Sequence, residues 1–136
     1  MKSRETLIRL KRFQLDEKRR RVAQIEGMIA EFDRMAADLD REVAAEEQRS
    51  GITDIGHFAY STYAKAARTR RDNLKRSADE LKTQLDDAQA ELGEAFEALK
   101  KVEILENRER SAERAAENAR DQAAMNQLGL ARAMRA

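Results

Sequence analysis

The sequence predicts an all-α protein in which two long helices fold back on each other as an antiparallel coiled-coil hairpin. Three observations lead there. Charged residues make up 39% of the chain and aromatics 4%, with no proline. That is too little apolar bulk for a round core, but enough for a two-helix seam needing about two apolar positions in seven. Apolar residues recur every three to four positions on both sides of one short break. The break, near residues 50–56, holds two of the five glycines. A length of 136 residues is the size of one domain, so 1–136 reads as a single hairpin.

The first helix is expected over 3–48. Steps of seven from Ile8 give Leu15, Val22, Ile29, Ala36 and Val43, all apolar. The partner row gives Ile25, Phe32 and Leu39 in the middle, but Lys11, Lys18 and Glu46 towards its ends. The seam is therefore strongest at mid-helix and opens into charge near the N-terminus. Met28 and Met35 widen the stripe, and Gly27 lies off it, at a cost of only about 1 kcal/mol against alanine.

The turn is expected at 49–56. Ser50, Gly51, Thr53, Asp54 and Gly56 are residues that stop one helix and start another. Thr53 or Asp54 is the expected N-cap of the next helix. That second helix is expected over 57–128. Leu74, Ala78, Leu81, Leu85, Ala88, Leu92, Ala95, Leu99 and Val102 alternate by four and three, large against small. Past Leu105 the seam passes to Ala112, Ala116, Ala119 and Ala123, which favour helix but bury little. The tail after about residue 108 is expected to fray or to depend on a partner.

Charge selects the hairpin over a parallel dimer. Residues 2–21 hold nine Lys/Arg and three acids, whereas 26–47 hold eight acids and only Arg34 and Arg41 as bases. Residues 65–76 are basic again, and 79–97 acidic. Folding the chain about residue 55 makes paired positions sum to roughly 110 and sets blocks of opposite sign together. A parallel dimer would set each block against its own copy. Each exposed pair contributes only about 0–1 kcal/mol, but many of one sign choose an orientation.

The composition excludes most catalytic chemistry. One histidine, His57, and no cysteine leave no parts for a triad, a thiolate nucleophile or a zinc site. No glycine-rich phosphate loop is present, and the carboxylates lie along solvated helices. No catalytic, metal or cofactor site is expected, and the chain reads as a non-enzyme. The N-terminal sequence lacks a signal peptide's apolar run, and no stretch approaches the roughly 20 apolar residues that span a bilayer. A cytoplasmic location is expected.

Three features suit interaction. Arg9, Lys11, Arg12, Lys18, Arg19, Arg20 and Arg21 form the densest basic cluster, with Lys11 and Lys18 in seam positions. Such a cluster either neutralises the acidic part of the second helix or docks a partner. Phe58, Tyr60 and Tyr63, beside His57, follow the turn. They either close the coiled coil over Ile52 and Ile55 or stand exposed as an anchor. Arg68, Arg70 and Arg71 could hold phosphate, but lack an aromatic stacking platform.

The N-terminal stretch Met1–Arg20, then Val22–Phe32, His57–Tyr60, Arg71–Leu74 and the Lys101–Glu109 segment resemble the flagellar export protein FliJ family, in its alphaproteobacterial form. The resemblance covers nearly the whole chain, and the ungapped N-terminal stretch with Lys101–Leu105 carries most of it. It implies a component of the flagellar type III export apparatus, built as a two-helix stalk similar to the central subunit of rotary ATPases. The end holding both termini, with Arg9 to Arg21, would enter the export ATPase ring. Another region would contact the cytoplasmic domain of the membrane export gate, and Phe58, Tyr60 and Tyr63 are the weaker assignment for it. Export chaperones are further implied partners, with no nucleic acid bound and any membrane association made through partners. The alternatives are an RNA- or ribosome-binding helical hairpin, whose affinity would fall steeply with salt, and a structural coiled-coil rod.

Overall fold

The computed structural model describes residues 2–135, apart from the side chain of Lys2; Met1 and Ala136 lie outside the described residues. The fold is all-α: α1 (Lys2–Ser50) and α2 (Thr62–Arg135) are joined by a turn at 51–61. Two compact units are present, one made of Leu15–Glu94, the other of Met1–Gln14 with Ala95–Ala136.

In the unit Leu15–Glu94, the expected rows meet. Val22, Ile25, Leu81 and Ala88 form the buried centre, with Ile29, Phe32, Leu85 and Leu92 packed around it. Ile25, only 1% exposed, is the largest side chain fully enclosed. Leu15, Ala36, Val43, Ala64, Ala67 and Ala78 extend the seam in both directions. The run is antiparallel: Lys18 Nζ lies 3.0 Å from Glu91, and Arg71 Nη1 lies 2.9 Å from Asp40. Arg68 Nη2 lies 2.7 Å from Glu47. The Arg71–Asp40 and Arg68–Glu47 pairs join the acidic block of α1 to the basic block of α2, and Lys18–Glu91 joins the basic block of α1 to the acidic block of α2, as the fold-back about residue 55 requires. Alanine on α2 opposite branched or large residues on α1 lets the backbones approach.

The turn differs from expectation in where α2 begins. α1 ends at Ser50, and Gly51 follows with a φ of 73°, its N–H donating to Glu47 O at 2.8 Å. That left-handed conformation suits glycine and closes a helix C-terminus. Asp54 does not cap α2. Its Oδ1 accepts the Gly56 N–H at 2.9 Å, a side-chain turn that keeps the chain non-helical. His57 through Ser61 therefore belong to the turn, and α2 starts at Thr62 rather than at residue 57. The cap is Ser61, whose Oγ accepts the Ala64 N–H at 3.2 Å.

In the other unit, α1 up to Gln14 lies antiparallel to the stretch of α2 that follows Ala95. Arg4 pairs with Glu109, and Arg110 Nη2 lies 3.9 Å from Glu5. Leu99 is buried, Ile8 and Val102 are half-buried, and Glu106 takes the seam position two turns after Leu99. Beyond Arg110 every described side chain is exposed, yet α2 stays helical to Arg135. The tail expected to fray or to depend on a partner is helical in the structure. A helix already nucleated upstream is extended cheaply by alanine, which loses no side-chain entropy.

Candidate partner-binding surfaces

The basic cluster of α1 is not uniform. Arg9 and Arg12 are exposed, Lys11 is half-buried at the seam, and none of the three makes a hydrogen bond or ion pair among the described residues. Arg9 and Arg12 border an open cleft of about 370 Å³ completed by Glu5, Ile8, Glu103, Glu106, Asn107 and Arg110. Arg110 crosses its floor, with Nε donating to Glu106 Oε1 at 3.0 Å. Glu106 is 4% exposed. A buried carboxylate is tolerated when hydrogen-bonded to a cation, and here it occupies a seam position where a leucine would pack. The cleft therefore offers two unpaired guanidinium groups above a polar floor, an arrangement that accepts carboxylate or phosphate oxygens bidentately.

Four further cations of the cluster lie in the unit Leu15–Glu94. Lys18 reaches Glu91, Arg19 lies 3.6 Å from Asp16, and Arg21 Nη1 donates to Gln24 at 3.3 Å. Arg20 is exposed and makes no such contact among the described residues. Lys18 thus neutralises an acid of α2, the intramolecular role open to it in the sequence, and keeps its stem on the seam with its ammonium in water.

The aromatic group after the turn separates into three environments. Tyr60 precedes α2 and is buried, so it is no exposed anchor. Its hydroxyl donates to Glu47 Oε1 at 2.8 Å and accepts from Arg68 Nε at 2.9 Å. The Arg68 guanidinium stands 6.0 Å from the Tyr60 ring centre. The hydrogen bond from Arg68, then that from Tyr60, holds the Glu47 carboxyl below its ordinary range. Tyr63, in the first turn of α2, is exposed and donates to Glu42 at 3.0 Å, and that carboxylate pushes its phenol pKa up. Phe58 is 96% exposed and stacks on His57 at 4.7 Å between ring centres. Ile55 remains exposed as well. Phe58 is thus the most exposed member of the group, while Tyr63 keeps an exposed ring with its hydroxyl engaged.

Arg68 and Arg71 are not free for phosphate. Arg68 is held by Glu47, and Arg71 by Asp40 and Asp72, whose hydrogen bonds raise its pKa. Among the described residues, Arg70 alone of the three makes no ion pair. The roles of Glu47 and Asp40 escaped the sequence reading, which took the acidic block as a whole. The available signal was their numbering against Arg68 and Arg71 in the fold-back register.

In each unit, helical stretches paired antiparallel along an apolar seam define a coiled-coil class of protein. The chain matches the family described as Flagellar FliJ protein over residues 1–136, its whole length, and it belongs to that family. Membership gives it a flagellar, export-related role. No curated protein and no solved structure matches it. Among the described residues no helix is long and apolar enough to cross a membrane.

Proposed function

We infer that this chain is a non-enzymatic stalk of the flagellar type III export apparatus that binds the export ATPase ring and couples it to the membrane export gate. The observation that carries the reading is the set of unpaired cations on α1. Among the described residues Arg9, Arg12 and Arg20 are exposed and make no ion pair, and Lys11 stands at the charged N-terminal end of a seam row. Cations that the fold does not use suit an acidic ring surface, and long-range attraction would speed the encounter. The exposed Phe58, on its hydrogen-bonded turn, suits a contact with the cytoplasmic domain of the gate. Export chaperones are further partners on this reading, and the protein works in the cytoplasm, reaching the membrane only through them.

The test mixes the full chain with the export ATPase of the same organism and follows hydrolysis and ring assembly together. Stimulation of both, lost on changing Arg9, Arg12 and Arg20 to glutamate, is the expected result. Unchanged stimulation by that variant would remove the basic cluster from the interface. No stimulation by the unaltered chain would end the stalk reading.

A further inference from the structure

The turn at 51–61 contains two side-chain turns in series. Asp54 Oδ1 accepts the Gly56 N–H at 2.9 Å, and His57 Nδ1 accepts the Ala59 N–H at 3.0 Å. Their backbones interlock, because the His57 N–H donates to Asp54 O at 3.1 Å. The Tyr60 N–H in turn donates to His57 O at 3.0 Å. His57 therefore fixes both residues that follow Phe58, Ala59 through its ring and Tyr60 through its carbonyl. The same imidazole stacks on the Phe58 ring, with the two planes inclined by 22°. Phe58 is so exposed that few other contacts set the direction of its ring.

An imidazole nitrogen accepts a hydrogen bond only while it carries no proton. The proton of the neutral ring is then on Nε2, which leaves Nδ1 to serve Ala59. Protonation makes both nitrogens donors and sets Nδ1–H against the Ala59 N–H. Two donors cannot share that position, so the ring must rotate or the backbone must open. Either movement changes how Phe58 is presented. The charged groups of the flanking elements are engaged elsewhere or of the wrong sign to hold the ring in place. At the end of α1, Arg49 is paired with Glu46, and Glu47 with Arg68 of α2. Lys65, in the first turn of α2, is a cation and offers a protonated ring no partner. Asp54 is the carboxylate within the turn itself, so a charged ring is drawn towards Asp54 and away from Ala59. We propose that His57 is a proton-controlled positioning residue for Phe58: the neutral ring fastens the turn at Ala59 and seats the Phe58 ring, and protonation releases both. A contact made through Phe58 is then strongest while His57 is neutral and weakens in mild acid. That consequence rests on the gate reading of Phe58, whereas the switch belongs to this chain alone.

The test titrates the full chain, isotope-labelled and without any partner, from about pH 8 to about pH 5, the range in which histidine ordinarily changes charge. NMR follows the His57 ring, the Ala59 amide and the Phe58 ring protons together. The Ala59 amide proton should move upfield as its acceptor is lost, with the same midpoint as the His57 ring. The Phe58 ring protons should shift with it as the stacking ends. The Gly56 amide, served by Asp54, should not share that midpoint. His57→Asn places Oδ1 where Nδ1 stood, an acceptor that side-chain turns commonly use. Its Ala59 amide should stay downfield and unmoved, whereas His57→Ala should hold that amide upfield throughout. Both variants alter an exposed turn residue, and unchanged helical circular dichroism confirms that they fold. An Ala59 amide that stays still while the His57 ring titrates overturns the proposal. So does a His57→Asn chain whose Ala59 amide titrates like that of the natural chain. Binding to the cytoplasmic domain of the gate, measured separately at both ends of the titration, should weaken in acid for the natural chain and not for His57→Asn. Equal weakening of the two, with the Ala59 amide still titrating, would overturn the gate reading of Phe58 and leave the switch in place.

Discussion

Arg68 and Glu47 face each other across the helix pair at 2.7 Å, and the Tyr60 hydroxyl bridges them, donating to the same Glu47 oxygen that Arg68 engages. Three residues from α1, the turn and α2 thereby share one polar contact. It holds an eleven-residue connection (51–61) against both helices, where backbone hydrogen bonds are few.

That contact makes stability depend on acid. The folded-state pKa of Glu47 is depressed below its ordinary 4.5 by Arg68 and Tyr60. Its contribution is therefore present above the unfolded value and is lost as pH falls through the folded one. Thermal unfolding of the natural chain and of Glu47→Gln should differ at pH 7, and the gap should narrow as the pH falls below 4.5. A gap that does not narrow at all as acid is added would assign the difference to shape and not to charge.

Ile25 is the most enclosed large side chain, at the centre of the Val22, Leu81 and Ala88 cluster. Ile25→Ala should cost about 2–5 kcal/mol, because the lost transfer energy is joined by that of the cavity left behind. Met28→Ala, at an exposed position nearby, should cost well under half as much. Urea unfolding of the two variants compares them directly.

Two glycines should respond in opposite directions. Gly51 has a φ of 73°, so Gly51→Ala should destabilise by about 1 kcal/mol although nothing lies within 4 Å of the added Cβ. Gly27 lies inside α1 with the same open space around it, and Gly27→Ala should stabilise by about 0.5–1 kcal/mol. Midpoint shifts of opposite sign in denaturant are the expected readout.

Lys18 sits in the apolar row of α1 and holds Glu91 at 3.0 Å with both side chains substantially exposed. Such a pair contributes about 0–1 kcal/mol, while a leucine partly buried on the seam contributes about 1–2 kcal/mol. Lys18→Leu should therefore raise the melting temperature. Because Glu91 already holds Lys18, the same variant should reduce stimulation of the export ATPase less than changing Arg9, Arg12 and Arg20 to glutamate does.

Much of the candidate surface was legible only as a block. The run from Arg9 to Arg21 stands out in composition, but which cations remain free depends on where Glu91, Asp16 and Gln24 fall around the helices. Tyr60 and Tyr63 look equivalent in spacing. They diverge because the Asp54 turn and the Ser61 cap delay α2 until Thr62, leaving Tyr60 on the connecting segment beside Glu47. A change of five residues in a helix start is enough to decide between the two readings of Tyr60, as a residue closing the coiled coil or as an exposed anchor, in favour of burial.

Periodicity and charge order sufficed for the rest. The rows through Ile8 and Leu74 place the seam, since only residues three and four apart can share a helix face. The alternation of basic and acidic blocks orients the two helices, since many weak pairs of one sign add up. Individual polar partners, the cap that begins α2, and the exposure of Phe58 came from three-dimensional packing alone. A hydrogen bond needs its donor and acceptor within about 3 Å and aligned, and sequence spacing does not resolve position that finely. An apolar row is likewise a core or an open surface according to whether another helix lies against it.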